Sequence, residues 1–350
     1  MTTSRPKSPL DRKRPVTMKD VARVAGVSQS TVSRILNDAP VLIPVSVETR
    51  DRVRAAAAEL GYRPHPLARA LRGAPTMLLG AIVRDITDVF FATAIEALST
   101  EARNRGYSVV LGHAARRVDE ALALTHVLEA RHCDAVMLLG DFTDEPVLLK
   151  DLRDAPLATV AIWHGSQLEG FPSVSVDNVA GVEAALAHLA DLGHTRIAFV
   201  GGESLGDIRE RQSAFERYQH ERDVRVPRRW VQHVENTAAG GEAAVAALFA
   251  EGDPPTAILA ATDVLAMGIV FAALSRGIAV PEALSVVGFD DIPLAATTFP
   301  GLTTVRMPVA AMVTEAIEIA VGDALDADEE RPRVFTPELI VRRSTGPPTG

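Results

Sequence analysis

The stretch from Val16 to Arg34, VTMKDVARVAGVSQSTVSR, constrains this chain more than any other. It holds two short helical periods split by a glycine. Thr17 followed three residues later by Asp20 has the spacing of a capping box, and Met18, Val21, Ala22 and Ala25 fall on one helical face. Gly26 supplies the left-handed position that stops this helix, and Val27 opens the turn. Ser28 then caps a second helix that turns Val32, Ile35 and Leu36 inward. Its other face carries Gln29, Ser30, Ser33, Arg34 and Asn37, short polar groups with one arginine. Such a face suits a surface covered in hydrogen-bond donors and acceptors, and the major groove of DNA is one. The plainer alternative is an amphipathic helix pair in any small bundle.

A net charge of −9 argues against nucleic acid until the chain is divided. Residues 1–73 hold 14 Lys/Arg against 6 Asp/Glu, a balance of +8, and the remainder holds 22 against 39, a balance of −17. A basic head on an acidic body focuses phosphate contact at one end and keeps the body off the duplex. Length allows two or three domains, and 47% hydrophobic content describes an ordinary globular protein. The single cysteine, Cys133, excludes an internal disulfide and a CxxC metal site. The basic N-terminus lacks an apolar segment behind it, and no run approaches a membrane span. A cytoplasmic, nucleoid-associated location is expected, with no membrane partner and no cofactor or metal.

The run DVARVAGVSQSTVSRILN, followed by VSVETRDRVRAAAAELGYRPHPLARALRG, resembles the N-terminus of the LacI/GalR family of bacterial transcription regulators. The match is tight over residues 16–73 and looser beyond. Several spaced features agree, so its specificity is high. The resemblance implies a helix-turn-helix DNA-binding domain over 15–63, behind a basic tail at 1–14. A third helix starts from the Ser46 cap, with Val53, Ala57 and Leu60 inward, and ends at Gly61. The loop before it is about three residues longer than usual for the family, around Val41–Pro44. Residues 64–75 resemble the family's hinge helix, which is too short to be stable alone and folds when two copies meet in the minor groove. Leu71 holds the position of the wedging leucine, with Ala68 and Arg69 lining the groove.

From Met77 onward, apolar runs alternate with helical stretches: LLGAIV, YSVVLG, DAVMLL, LATVAI, RIAFVG, TAILAA and LSVVGF, with helices near 90–105, 118–131, 178–193, 207–221 and 263–276. Continuous apolar strands between amphipathic helices indicate parallel sheets covered on both faces. Their number suggests two doubly wound lobes. This resembles the family's periplasmic-binding-protein-like effector domain, over 76–345.

Ligands of such sheets gather beyond the carboxyl ends of the strands. Asp85, Asp88, Phe90, Phe91, Asp141, Trp163, His164, Arg209, Asp263, Asp290 and Asp291 all follow strands. Carboxylates, an arginine and aromatics together suit a polyhydroxylated ring, though each carboxylate could equally be a solvated loop residue. By resemblance, Arg209 in IRERQSAF, Asp263 in ATDVLAMG and Asp290 in VVGFDD occupy ligand-contacting positions, and Asp88, Phe90 and Trp163 complete the expected effector set. DITDVFF departs at Asp88 and Val89 from the family's Asn-Pro-Phe-Phe. Thr262 stands where asparagine is more usual, and Trp163 where aspartate is frequent. The effector is expected to be a sugar or related small polar molecule.

Gly202-Glu203-Ser204-Leu205-Gly206 matches G-x-S-x-G between a strand and a helix, where a hydrolase nucleophile would sit. No histidine follows His233, although several strands do, so the needed late histidine is missing. The expectation is therefore a non-enzymatic, ligand-responsive regulator, a repressor of carbohydrate-related genes. It would bind a palindromic operator as a homodimer, possibly a tetramer, with no C-terminal leucine heptad to favour the latter. In it Gln29, Ser30 and Arg34 read bases, Ser28, Thr31, Ser33 and Asn37 hold the backbone, and Thr17 joins the DNA-binding set. A solute-binding module and a hydrolase using Ser204 are the alternatives.

Overall fold

A computed structural model of the protein describes residues 16–36, 45–62, 75–163, 170–202, 206–250, 252–322 and 333–349. The expected tail at 1–14, the loop around Val41–Pro44 and Asn37, Ala68, Arg69, Leu71, His164 and Ser204 lie outside these residues. The chain divides into two compact units, Met1–Thr76 and Met77–Gly350.

In the first unit, helices α1 (Met18–Ala25), α2 (Gln29–Leu36) and α3 (Val47–Leu60) enclose a small core of Val21, Ala22, Ala25, Val32, Ile35, Val53, Ala56 and Ala57. The Asp20 carboxylate accepts from the Thr17 backbone N–H at 2.9 Å and from its hydroxyl at 2.7 Å, fixing the start of α1. Gly26, at φ 67°, ends it in the left-handed conformation. Arg52 Nε reaches across from α3 to donate to the Ala25 carbonyl at 2.9 Å, satisfying one of the carbonyls that a helix end leaves open. Ser28 Oγ accepts from Thr31 N–H at 3.1 Å and Ser46 Oγ from Thr49 N–H at 3.3 Å, so both later helices start from serine caps.

The second unit contains two six-stranded sheets. The first orders β11 (Arg333–Phe335), β5 (Ser173–Val176), β4 (Ala158–Ile162), β3 (Ala135–Leu139), β1 (Leu78–Val83) and β2 (Ser108–His113), all parallel. The second orders β12 (Glu338–Ile340), β10 (Thr303–Arg306), β9 (Ser285–Asp290), β8 (Ala257–Ala260), β6 (Ile197–Gly201) and β7 (Val231–His233), with only β12 antiparallel. Alternation along β1 explains its unbroken apolar sequence. Leu79, Ala81 and Val83 pack with Leu98 and Ala102, whereas Ile82 joins Leu128, Val136, Leu138 and Leu148 on the other face.

The helices are α4 (Val89–Asn104), α5 (Val118–Ala130), α6 (Pro146–Asp154), α7 (Asn178–Asp191), α8 (Gly206–Glu221), α9 (Ala238–Leu248), α10 (Asp263–Ser275) and α11 (Val309–Val321). The last of these does not stay with the strand before it. α11 packs on α4, β3, β4 and β5 of the first lobe, and β11 adds to that lobe's sheet before β12 returns to the second. The chain therefore passes between lobes three times, after β5, after β10 and after β11. Strand order reverses between β1 and β3 and again between β6 and β8, which sets a crevice at the carboxyl ends of each sheet.

Candidate functional site

In the first unit, the polar face of α2 is available as the sequence predicts. Ser28, Gln29 and Ser30 are exposed, and Thr31, Ser33, Arg34 and Thr17 are half-buried. The Ser28 hydroxyl is also engaged with the hydroxyls of Ser30 at 2.7 Å and Thr31 at 2.8 Å, which holds the three side chains together at the helix start. Gln29 and Arg34 are the long side chains of this face, and they set its reach.

In the second unit, a cavity of about 330 Å³ lies between the lobes, within the usual size range of small-molecule sites. Each lobe contributes the loops that leave its strands. After β1, Asp85 Oδ1 accepts from Thr87 N–H at 2.9 Å and Thr87 Oγ1 at 2.7 Å, shaping a turn that delivers Asp88. Asp88 caps α4 by accepting from Phe90 N–H at 3.0 Å, and its other oxygen accepts from Asn236 Nδ2 of the second lobe at 3.3 Å. After β4, Trp163 is held at φ 59°. Its ring meets Phe90 edge-on at 5.1 Å and Phe91 at 6.5 Å, giving the cavity an aromatic wall. Across the crevice, Thr262 Oγ1 caps α10 and donates to Asn236 Oδ1 at 2.7 Å.

The hub of the second-lobe wall is Arg211, whose side chain is almost wholly buried. Nε donates to Asn178 Oδ1 at 2.8 Å, and one terminal nitrogen donates to the Ala261 carbonyl at 2.6 Å and faces Asp290 Oδ1 at 3.5 Å. The other lies 3.3 Å from Asp207 and 3.8 Å from the Met307 sulfur. The guanidinium stacks 3.7 Å over the Phe289 ring.

This arrangement corrects one expected site residue. Arg209, not Arg211, was expected in the cavity, but Arg209 does not line it and pairs instead with Asp144 at 3.2 Å, 45% exposed. Two residues along a helix turn the side chain by about 200°, so only one of the pair faces inward. Ile208, Arg211 and Phe215 repeat at the spacing of a buried face, and that periodicity marks Arg211 from sequence alone.

Asp263 is the second correction. It is fully buried behind the cavity wall, where it accepts from Ile292 N–H at 2.9 Å and from the Thr304 hydroxyl. Gly288 lets the carboxylate approach, since a Cβ there would lie 2.2 Å from its oxygen. Its neighbour Thr262 lines the cavity in its place. Asp88, Phe90, Trp163 and Asp290 are brought together, joined by Asp207, Asn178 and Asn236, which sequence reasoning did not single out. Asp141 also lines the cavity, though its carboxylate is engaged by Thr143 and by the Gly206 N–H at the start of α8. Asp291 turns away to Arg306 at 2.7 Å and Arg342 at 2.6 Å.

Electrostatically the interior is acidic. Burial pushes the Asp290 carboxyl well above the ordinary range; Arg211 opposes this, and Asp263, Asp88 and Asp207 add to it. Asp88 is raised for the same first reason, with Phe90 N–H and Arg211 pulling back and Asp207 and Asp85 pushing up. Asp263, behind the wall, is pushed up to about 7, chiefly by burial. One donor is left over: the buried Trp163 Nε1–H has no hydrogen-bond partner among the described residues.

Comparison with known proteins gives matches to both units. Residues 17–65 match the family described as "Bacterial regulatory proteins, lacI family", and residues 186–345 match "Periplasmic binding protein-like domain". The HTH-type transcriptional regulator GalS of Salmonella typhimurium is 34% identical over 332 residues, 94% of this chain and 96% of that protein. The crystal structure of the lac repressor dimer bound to operator and the anti-inducer ONPF superposes with a TM-score of 0.83 at 26% identity, covering 95% of this chain and 100% of that one. The complex of transcriptional regulator CelR with cellobiose gives 0.67 at 27% identity, covering 95% and 100%.

Proposed function

Because the chain belongs to the lacI family of bacterial regulatory proteins, we propose that its two units divide the work of a ligand-responsive transcriptional repressor as follows. The first unit binds operator DNA with α2 in the major groove. Arg34 and Gln29 read base edges, with Ser30 beside them, and Ser28, Thr31, Ser33 and Thr17 hold phosphates. Asn37, and the hinge residues Ala68, Arg69 and Leu71, take the roles that the family resemblance assigns them. The effector, a sugar or related polar molecule, occupies the cavity between the lobes. Phe90, Phe91 and Trp163 stack on its apolar side, and Asp88, Asp290, Asn236 and Thr262 address its polar groups. Asp88, Asn236 and Arg209 already bridge the lobes, so a ligand that rearranges them biases the lobe angle, and with it operator affinity.

A palindromic operator calls for a second copy of the chain. On the second lobe, Met267, Val270, Phe271, Leu274, Phe299 and Leu302 form an apolar groove, and Phe271 and Phe299 are 62% and 85% exposed. We assign this groove to the dimer interface. The reading contains no catalytic step and places the protein in the cytoplasm with the nucleoid. No helix among the described residues is long and apolar enough to cross a membrane.

The observation that carries the proposal is the joining, in one chain, of a capped polar recognition helix to a two-lobed unit whose cavity draws residues from both lobes. Titrating the purified protein against a selected inverted-repeat duplex and a scrambled one, with and without a sugar panel, tests it. Preference for the inverted repeat, altered by one panel member, is expected. Equal binding to both duplexes under every condition would remove it.

A further inference from the structure

Carboxylates outnumber guanidiniums in the cavity lining, with Asp85, Asp88, Asp141, Asp207, Glu235 and Asp290 against Arg84, Arg116 and Arg211. Arg211, its buried cation, has every guanidinium nitrogen engaged by protein: Asn178, the Ala261 carbonyl, Asp290, Asp207 and Met307. It keeps no strong donor in reserve for an anionic ligand. Asp207 and Asp290 are each in contact with that one arginine, at 3.3 and 3.5 Å, distances at which a carboxylate is only weakly held. Asp88 takes one backbone N–H and one 3.3 Å contact from Asn236. Asp207 lies close enough to raise the proton affinity of both Asp88 and Asp290, and Asp88 that of Asp290. Three mutually repelling carboxylates around one occupied guanidinium leave uncompensated negative charge inside a partly dehydrated site.

Two further features restrict what can relieve it. The aromatic wall of Phe90, Phe91 and Trp163 favours a flat apolar face or a cation above the rings. Asn236 and Thr262, a neutral amide and a hydroxyl of the lining, suit hydroxyls on the same ligand, which a bare cation lacks. We propose that the effector is a hydroxylated ring bearing a protonated amine, an amino sugar or aminocyclitol, with no phosphate or carboxylate. The amine sits among Asp88, Asp207 and Asp290, and the apolar face of the ring lies against Phe90, Phe91 and Trp163. This rests on the reading of the cavity as the effector site.

The test is calorimetric titration of the full-length chain at pH 7.5 with glucosamine, galactosamine and mannosamine, and with the neutral parent, N-acetyl form and 6-phosphate of each. One amine should bind at least about tenfold more tightly than its parent and its N-acetyl form, at roughly 1.4 kcal/mol per factor of ten. Asp207→Asn, on the partly exposed first turn of α8, should erase the preference for amine over parent, and Asp88→Asn, which keeps a capping side chain, should do the same. Tightest binding of a neutral parent or a phosphate overturns the inference and leaves the effector site standing, the phosphate then engaging Arg84 and Arg116 of the lining. No binding by any member removes both.

Discussion

Arg209 and Arg211 are two residues apart on α8, carry the same charge and each face carboxylates, yet they should behave very differently when neutralised. Arg211→Met keeps most of the aliphatic stem over Phe289 and removes the charge. The structure then leaves Asp290, 7% exposed at its side chain, and Asp207 without their cation, and leaves Asn178 and the Ala261 carbonyl without a donor. Removing one member of a buried ion pair costs about 3–5 kcal/mol. Arg209→Met breaks a pair whose partners are 45% and 75% exposed, and such pairs contribute about 0–1 kcal/mol. Urea unfolding followed by tryptophan fluorescence separates the two cases, because both tryptophans, Trp163 and Trp230, lie in the second unit. The Arg211→Met loss should also be smaller at pH 5 than at pH 8, since protonation of Asp290 quenches the orphaned charge. Equal losses for the two variants, or a loss under about 1 kcal/mol for Arg211→Met, would refute the assignment of Arg211 as the buried hub.

Three other outcomes are expected. The raised carboxyls of Asp263, Asp290 and Asp88 stabilise the folded state fully below the unfolded value near 3.8, and that contribution is lost as pH rises through the folded values, about 7 for Asp263. Unliganded protein should therefore lose stability between pH 5 and 8, and Asp263→Asn should flatten the slope, by up to about 4 kcal/mol across the full window; an unchanged slope in thermal melts would contradict the burial argument. Arg34→Ala should cost about 1–3 kcal/mol of operator affinity and relax preference at one operator position, read by binding to single-base variants. Phe271→Glu should shift sedimentation toward monomer while leaving far-ultraviolet circular dichroism intact, and an unaltered dimer would move the interface elsewhere.

The sequence is most transparent where one physical requirement acts alone. The turn at Gly26, the caps at Thr17, Ser28 and Ser46, and strands such as LLGAIV follow from local chemistry, and they stand where the pattern places them. Elements that draw their identity from distant partners are hidden. Ser173–Val176 reads as SVSV and lies buried between β4 and β11, so its serines obscure a central strand. The helix Ala238–Leu248 has two glycines and almost no charged face, because it packs close against α10. Helix α11 shows in its sequence neither which lobe it joins nor that it leaves the preceding strand. At the site, position after a strand correctly gathers Asp88, Phe90, Trp163 and Asp290, yet it cannot tell an inward from an outward arginine. Resemblance alone pointed to Arg209, whereas the helical period around Ile208 and Phe215 selects Arg211. Asp263 shows the same limit: adjacency to Thr262 is legible, and the choice of which neighbour turns to the core is made by Ile292, Thr304 and Gly288.

The second passage of the chain between lobes, which returns it to the first lobe after β10, has a consequence for its synthesis. The residues of α1, α2 and α3 leave the ribosome early and can close their small core as soon as residue 62 is free. The first lobe, by contrast, lacks α11 and β11 until residues 309–335 have emerged, by which time nearly all of the second lobe has been translated. Through most of elongation, the nascent polypeptide thus carries a finished groove-reading head ahead of a receptor that cannot yet sense anything. A message truncated before codon 309 would yield a head without control.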